Sequence, residues 1–203
     1  MAKTISIQKM NDKILKVIKS DNADDLSLFF TNGMDINTRL PQTHFNNVEM
    51  FKECPPLHCV AAFFGSIRCL KYLFMNGSDL LLKDKKNRSI IHFAAAGGSL
   101  EIVNFLSGIV VDLDWSIQDS YGDTVIHYAI FYNHPDLVYW FWYQYNMNLS
   151  VPNKRKMTPL HLAVVSENVD LIEFLCKNGS NVNAKNVHSY YMTFCFTKQR
   201  HSL

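Results

Sequence analysis

The chain has 203 residues, enough to bury a hydrophobic core either as one domain or as several stacked repeats. With 48% hydrophobic and 19% charged residues the composition argues against disorder, and the net charge of +2 is too small to indicate nucleic-acid binding by itself. The sequence has no run of about 18 apolar residues, its first residues lack the apolar stretch typical of a signal peptide, and its five cysteines lie at irregular positions. The expected location is therefore the cytoplasm, with the nucleus as the alternative.

The first predicted element is a pair of helices within residues 1–37. The segment KILKVIKSDNADDLSLFFTNGMDIN contains two apolar patterns at helical spacing and ends near Gly33. Polar side chains such as Lys16, Lys19 and Asp25 are expected to face water, so this pair is predicted to form an N-terminal cap. Residues 38–53 are predicted to be an extended loop.

Residues 54–186 carry a pattern that occurs four times at nearly constant spacing. Each copy has a histidine after an aliphatic residue, and successive histidines are 34, 35 and 34 residues apart: His58, His92, His127 and His161. A second apolar run at helical spacing follows each histidine after a short break. A fixed period of this length indicates a stacked repeat array. The predicted repeats are residues 54–83, 84–118, 119–152 and 153–186, each a helix, a tight turn, a helix and a loop.

The predicted starts of the first helices carry recognisable capping residues. Ser89, Thr124 and Thr158 each precede an apolar run and can cap a helix N-terminus. Pro159 suits the first turn that follows Thr158, because proline has a fixed φ and lacks an N–H group. Neither helix of a pair is long enough to be stable alone, so stability must come from packing between neighbouring units.

The segment TPLHLAV at residues 158–164 resembles the ankyrin repeat, whose signature is T-P-L-H-x-A. The segments PPLHCVA, SIIHFAA and TVIHYAI are degenerate versions of the same motif. The resemblance implies an all-α ankyrin-repeat solenoid of about five helix-turn-helix units joined by hairpin-like loops. Residues 187–203 contain no helix pair of this kind, and are interpreted as a divergent tail or as the start of a truncated repeat.

The family resemblance also implies a role for the four histidines. In ankyrin repeats this histidine is structural, since its imidazole hydrogen-bonds backbone groups in the adjoining loop. Units stacked roughly 10 Å apart would also hold successive imidazoles too far apart to share one zinc ion. A zinc site is disfavoured for the local cysteine and histidine cluster as well, because its spacing matches no zinc motif: Cys54, His58, Cys59 and Cys69. No catalytic or nucleotide-binding motif occurs, so no catalytic residue, metal or cofactor is expected.

Ankyrin repeats bind proteins through variable loop tips and first-helix positions, and these positions can be carried over to the present sequence. The loop-tip candidates are Lys85, Lys86, Arg88, Ser120, Tyr121, Asp123, Lys154, Arg155 and Met157. The first-helix candidates are Phe63, Phe131 and Tyr132. Because two of the three tips are basic, the partner is expected to present an acidic surface. The alternative is that the basic side chains only keep the loops soluble.

The aromatic run LVYWFWYQY at residues 137–145 permits two interpretations. By register, Leu137, Val138, Trp140 and Phe141 match core positions and Trp142 a partly buried one, which leaves Tyr139 and Tyr143 facing outward. The run is either an ordinary core helix with two surface tyrosines or a binding or self-association patch, because large exposed aromatic side chains are favoured at interaction hot spots.

The function inferred from the sequence is that of a non-enzymatic scaffold or adaptor that binds another protein. It is expected to bind no nucleic acid, membrane or small-molecule substrate. A second hypothesis is that the chain is the targeting portion of a larger enzyme or membrane protein whose active part lies beyond residue 203. A third is binding to nucleic acid or another anionic surface through the basic tips, which the small net charge disfavours.

Overall fold

A computed structural model describes residues 2–41, 48–110 and 113–186 of the chain. These residues form ten α-helices and one short 3₁₀-helix, which confirms the predicted all-α class. The chain divides into two compact units, Met1–Leu113 and Asp114–Leu203. The predicted tail at residues 187–203 lies outside the described residues. No helix in the described ranges is long and apolar enough to cross a membrane.

The first unit contains three helix pairs. Its helices are α1 (Ala2–Lys19), α2 (Ala23–Thr31), α3 (Leu57–Phe64), α4 (Ile67–Met75), α5 (Ile90–Gly97) and α6 (Leu100–Ile109), with the 3₁₀-helix Glu49–Phe51 before α3. Helix α3 packs against α1 on one side and α5 on the other, while α2 packs against α4. First helices thus stack on first helices and second helices on second helices, as the repeat pattern predicts.

The second unit contains two helix pairs. Its helices are α7 (Val125–Phe131), α8 (Pro135–Tyr145), α9 (Pro159–Val165) and α10 (Val169–Lys177). Helix α7 packs against both α8 and α9, and α9 packs against α10. The hydrophobic core of each unit lies between its stacked pairs. The boundaries given above for the individual repeats remain a prediction.

Two glycines terminate α5 and allow close packing there. Gly98 follows the helix with φ +77°, in the left-handed region where a side chain would be strained. Gly97 lies directly against the backbone carbonyl of Phe63, and a Cβ atom at Gly97 would collide with that carbonyl. The Gly-Gly pair therefore lets the end of α5 approach the end of α3 at backbone contact distance.

The described residues of the 38–53 segment are anchored to the core, and its assignment as an extended loop stays a prediction. Leu40 is buried, and its N–H donates to the Pro55 carbonyl at 2.9 Å. Met50 and Phe51 of the 3₁₀-helix are also buried. The apolar side chains Leu40, Met50 and Phe51 extend the core, a contribution that the sequence analysis missed because the segment lacks helical periodicity.

The aromatic helix α8 differs in part from its predicted register. Leu137, Val138 and Phe141 are buried as expected. Trp140 is only half-buried, and its ring packs edge-on against Trp115 at a ring-centroid distance of 6.0 Å. Tyr139 was expected to face outward but is half-buried, since its ring packs edge-on against Phe174 of α10 at 4.6 Å.

Three residues after each periodic histidine lies a small or aliphatic residue of the first helix, and the first two of these positions are deeply buried in the first unit. Ala95 and its equivalent Ala61 are completely buried, and Ile130 in the second unit is buried as well. The fourth equivalent, Val164, is only half-buried. Val164 lies in the last described helix pair, and no described helix follows that could cover it.

The substitution Ala95→Glu should destabilise the protein by about 3 kcal/mol or more, because it places an unpaired carboxylate in a contact with no access to water. Urea unfolding of Ala95→Glu and of the control Asn104→Glu, at an exposed position of α6, measures the effect. The control should lie within about 0.5 kcal/mol of the wild-type protein. An equal midpoint for both variants would show that the register is wrong.

Candidate functional site

Three of the four periodic histidines hold the start of a first helix through the same contacts. The backbone N–H groups of Ser89, Thr124 and Thr158 donate to the Nδ1 atom of the histidine three residues later, at 3.1, 3.2 and 3.1 Å. The hydroxyl oxygens of the same residues lie 3.0, 2.9 and 2.8 Å from that Nδ1 atom. The arrangement is a capping box in which histidine takes the place of glutamate or glutamine.

His127 also connects its helix to the following loop. Because Nδ1 accepts the Thr124 N–H, the proton of the neutral ring resides on Nε2, which donates to the Met157 carbonyl at 3.1 Å. Burial lowers the pKa of His127, although the nearby carboxylate of Asp123 opposes that effect. Burial likewise lowers the pKa of His161. Both rings are therefore neutral at pH 7, and each accepts a backbone N–H at its Nδ1 atom.

His58 lies at the same repeat position but makes a different contact. The residue three positions earlier is Pro55, which has no N–H to donate. The Nδ1 atom of His58 lies instead 3.2 Å from the hydroxyl of the buried Ser78. Burial lowers the pKa of His58 to about 4. His58 therefore lacks the capping contact that the other three histidines make, and the structural role expected of all four stays a prediction.

The loop before each of these three capped helices is closed by one side-chain oxygen. The Oδ1 atoms of Asp84, Asp119 and Asn153 each accept two backbone N–H groups, from the residues two and four positions later, at 2.8–3.0 Å. Such Asx turns fix the loop backbone without any help from a partner. The tips are therefore preformed.

Arg88 was expected at an exposed tip, but the structure buries it. Its side chain is 5% exposed, and its Nε donates to the Asp84 carboxylate at 2.6 Å. Its Nη2 donates to the Met50 carbonyl at 2.7 Å, and the guanidinium lies over the Phe93 ring. Burial raises the pKa of Asp84, and the positive charge of Arg88 opposes that rise. Arg88 therefore joins the 38–53 segment to the core, and it is not accessible to a partner.

The other candidates at this tip divide into one paired and one exposed lysine. Lys86 is half-buried and lies 3.2 Å from the Glu53 carboxylate. Lys85 is exposed. The basic character predicted for this tip therefore consists of one accessible lysine and one lysine whose charge is offset by Glu53.

The tips of the second unit are more accessible. Ser120, Tyr121, Lys154 and Arg155 are exposed, as is Lys156, which the sequence analysis did not select. Asp123 and Met157 are half-buried. The two tips are tied together, because the Lys154 N–H donates to the Tyr121 carbonyl at 2.9 Å. Three consecutive exposed cations at residues 154–156 are thus held on a fixed backbone.

The three first-helix candidates also differ in accessibility. Phe63 is half-buried, since its ring packs against Phe51 of the 38–53 segment at 5.2 Å. Tyr132 is half-buried beside Tyr128. Phe131 is 69% exposed at the end of α7. Its equivalent in the next repeat, Val165, is 73% exposed and was missed, although the 34-residue period indicates it.

The described residues bring together no metal-binding cluster, and two of their cysteines are buried. No group of three or more His, Cys, Asp or Glu side chains lies within reach of one ion in the ranges 2–41, 48–110 and 113–186. Cys59 and Cys69 are completely buried, and burial raises the pKa of the Cys69 thiol to about 12. A thiol with such a pKa is inert at pH 7.

Comparison with known proteins places this architecture in a family. The family model for ankyrin repeats in three copies matches residues 15–113, 57–150 and 109–186. The matches cover most of the chain and include both units. The chain therefore belongs to the ankyrin-repeat family, as the TPLHLAV motif indicated.

Similar proteins contain this region as a minor part of a longer chain. A vapyrin-like protein of Medicago truncatula is 30% identical over 121 residues, 59% of this chain and 25% of the relative. The nuclear factor NF-kappa-B p105 subunit of Gallus gallus is 36% identical over 78 residues, 36% of this chain and 8% of the relative. A putative palmitoyltransferase, ZDHHC13 of Danio rerio, is 28% identical over 125 residues, 61% of this chain and 19% of the relative. The matched region thus spans a quarter or less of these relatives.

Removal of the Arg88 side chain should destabilise the fold, because it leaves the Asp84 carboxylate buried without its partner. We expect Arg88→Ala to lower the free energy of unfolding by about 3 kcal/mol. The matched control is Lys85→Ala, three residues earlier and exposed, which should change it by less than about 0.5 kcal/mol. Denaturant unfolding of both variants measures the difference. If both substitutions changed the free energy of unfolding by a similarly small amount, Arg88 would instead be an accessible surface residue.

The buried imidazole of His58 should make the protein less stable in acid. Its folded pKa of about 4 lies below the ordinary histidine value of 6.5, so the unfolded state takes up a proton that the folded state does not. The contribution is fully present above pH 6.5 and is lost as the pH falls toward 4. The shift corresponds to a loss on the order of 3 kcal/mol between these limits.

Urea unfolding of the wild-type protein and of His58→Asn at pH 7 and pH 4 isolates this contribution. The comparison with the variant is needed because burial raises the pKa values of Asp84 and Asp123, which gives a pH dependence of the opposite sign. The variant should show the smaller loss in acid. Parallel losses in the two proteins would refute the assignment to His58.

Proposed function

We propose that this chain is a non-enzymatic scaffold or adaptor that binds another protein through a preformed surface on its second unit. One observation carries the proposal: α9 has an accessible cationic loop at its beginning and an accessible apolar side chain at its end. Lys154, Arg155 and Lys156 precede the helix, and Val165 ends it. Phe131 ends the neighbouring helix α7 and is equally accessible. A helix of seven residues separates the two features by roughly 10 Å.

The composition of this surface suggests the chemistry of the partner. An acidic segment would be attracted to residues 154–156, and an apolar side chain next to it would cover Phe131 and Val165. The Asn153 turn and the contact between Lys154 and Tyr121 fix the loop before binding. A preformed loop loses little conformational entropy on association, which favours affinity.

The same proposal includes the absence of catalytic activity. The loop carboxylates Asp84 and Asp119 accept backbone N–H groups, and the histidines of the capping boxes accept hydrogen bonds from the helix starts. Side chains committed in this way are unsuited to proton transfer with a substrate. We therefore infer that the chain uses no cofactor and transforms no small molecule, and that it works in the cytoplasm or the nucleus.

A second candidate function follows from the comparisons. One similar protein is called a putative palmitoyltransferase, and the matched region is 19% of its length. The present chain would then be the targeting portion of a larger enzyme or membrane protein. Sequencing the transcript that encodes the native protein tests this candidate: an open reading frame beyond residue 203 supports it, and a stop codon after residue 203 refutes it.

The double variant Lys154→Glu/Arg155→Glu should bind the partner at least tenfold more weakly, because it places two carboxylates where an acidic surface must dock. The partner is first identified by affinity capture with the wild-type chain and mass spectrometry. The purified partner is then titrated by calorimetry against the wild-type chain and the variant.

The matched control for charge is Lys71→Glu/Lys177→Glu, which changes the net charge equally but lies on the second helices α4 and α10. It should leave the affinity within about twofold of wild type. Equal affinity of the tip variant and the wild-type chain would contradict the acidic-partner assignment. Competition by double-stranded DNA that is lost at high salt would instead support a nucleic-acid function.

A further inference from the structure

The second unit has another accessible surface, which lies on α8 and α10 and is separate from its loop tips and first helices. It consists of Tyr139, Trp142 and Tyr143 of α8 and Phe174 of α10, here called the aromatic patch. Phe174 is the common contact, with ring-centroid distances of 4.6, 5.6 and 6.5 Å to the other three rings. The four rings therefore form one continuous aromatic surface across two helices.

The other aromatic rings of α8 pack against Trp115, whereas the rings of the patch pack against Phe174 at the surface of the unit. Trp140 and Tyr145 pack against the buried Trp115, at ring-centroid distances of 6.0 and 5.4 Å. Tyr143 is 70% exposed, and Trp142 and Phe174 are only half-buried. Accessible tryptophan and tyrosine side chains are the residue types that contribute most to binding at interfaces. The patch therefore offers accessible aromatic surface of the kind found at interfaces.

The rim of the aromatic patch is acidic. Asp136 and Asp170, in the first turns of α8 and α10, are exposed, and neither forms an ion pair within the described part of the chain. Both carboxylates are close enough to Tyr139 to raise the pKa of its hydroxyl further, beyond the larger effect of burial. Helix α8 contains no lysine or arginine, and Lys177 of α10 is bonded to Glu173 at 2.5 Å. The local charge is thus negative on a chain whose net charge is +2.

We propose that the aromatic patch binds an arginine-bearing segment of a partner protein. A guanidinium group stacks on the face of tryptophan or tyrosine and donates two parallel hydrogen bonds to a carboxylate, so it satisfies both features of this surface at once. A lysine ammonium offers the charge without the planar stacking. The site is distinct from the cationic tip at residues 154–156, which selects the opposite charge.

Acetylated hexa-arginine is the probe, titrated by calorimetry into the full chain. The variants Trp142→Leu/Tyr143→Leu and Asp136→Asn/Asp170→Asn should each weaken its binding at least tenfold. The matched controls are Tyr121→Leu, at an exposed tyrosine of a loop tip, and Asp12→Asn/Glu101→Gln, which removes the same charge from the first unit. Both controls should bind within twofold of wild type, and circular dichroism melting verifies that each variant is folded.

Three results would overturn the proposal. The first is equal binding by the patch variants and the wild-type chain. The second is equal affinity for hexa-lysine, which would leave the rings without a role. The third is concentration-dependent dimerisation in sedimentation that Trp142→Leu abolishes, because the occupant would then be a second copy of this chain. Lys154→Glu/Arg155→Glu should bind hexa-arginine no more weakly than wild type, so this test is independent of the proposed loop-tip function.

Discussion

The starts of α5, α7 and α9 are the points on which the surrounding structure depends. A helix of seven or eight residues is too short to be stable alone, and its first N–H groups have no partner within the helix. The pairing of Ser89, Thr124 or Thr158 with the histidine three residues later satisfies that end. The same imidazole is buried, so one side chain both caps the helix and belongs to the interior. The loop tips directly precede these capped helix N-termini, which fix one end of each loop.

The sequence predicted the parts of the fold that repeat. The interval of about 34 residues located the four histidines, the capping residues and the buried positions of α3 to α9, because equal spacing places residues in equivalent environments. The prediction from this spacing failed where a residue departs from the repeat pattern. Proline at position 55 removes the N–H that His58 would accept, and a tip position occupied by arginine, Arg88, becomes buried because Asp84 and Met50 receive its guanidinium. Neither contact follows from spacing, since the 38–53 segment that supplies Met50 has no counterpart in the other repeats.

The two proposed surfaces illustrate how a single scaffold can present different chemistries. Residues 154–156 provide positive charge beside the first helices, while the aromatic patch with its acidic rim lies on the second helices of the same unit. Both rest on backbone that is already fixed by turns and helix packing. Specificity then depends on the few accessible side chains and not on rearrangement of the fold, which is the property expected of a recognition module.

The protonation of the capping imidazoles tests this account most directly. A long-range ¹H–¹⁵N correlation spectrum of the uniformly labelled protein at pH 7 distinguishes the two ring nitrogens of each histidine. The account predicts that His92, His127 and His161 are neutral, with an unprotonated Nδ1 atom that accepts the backbone N–H and a proton on Nε2. Protonated Nδ1 atoms, or rings that titrate with the ordinary pKa of a solvated histidine, would contradict it.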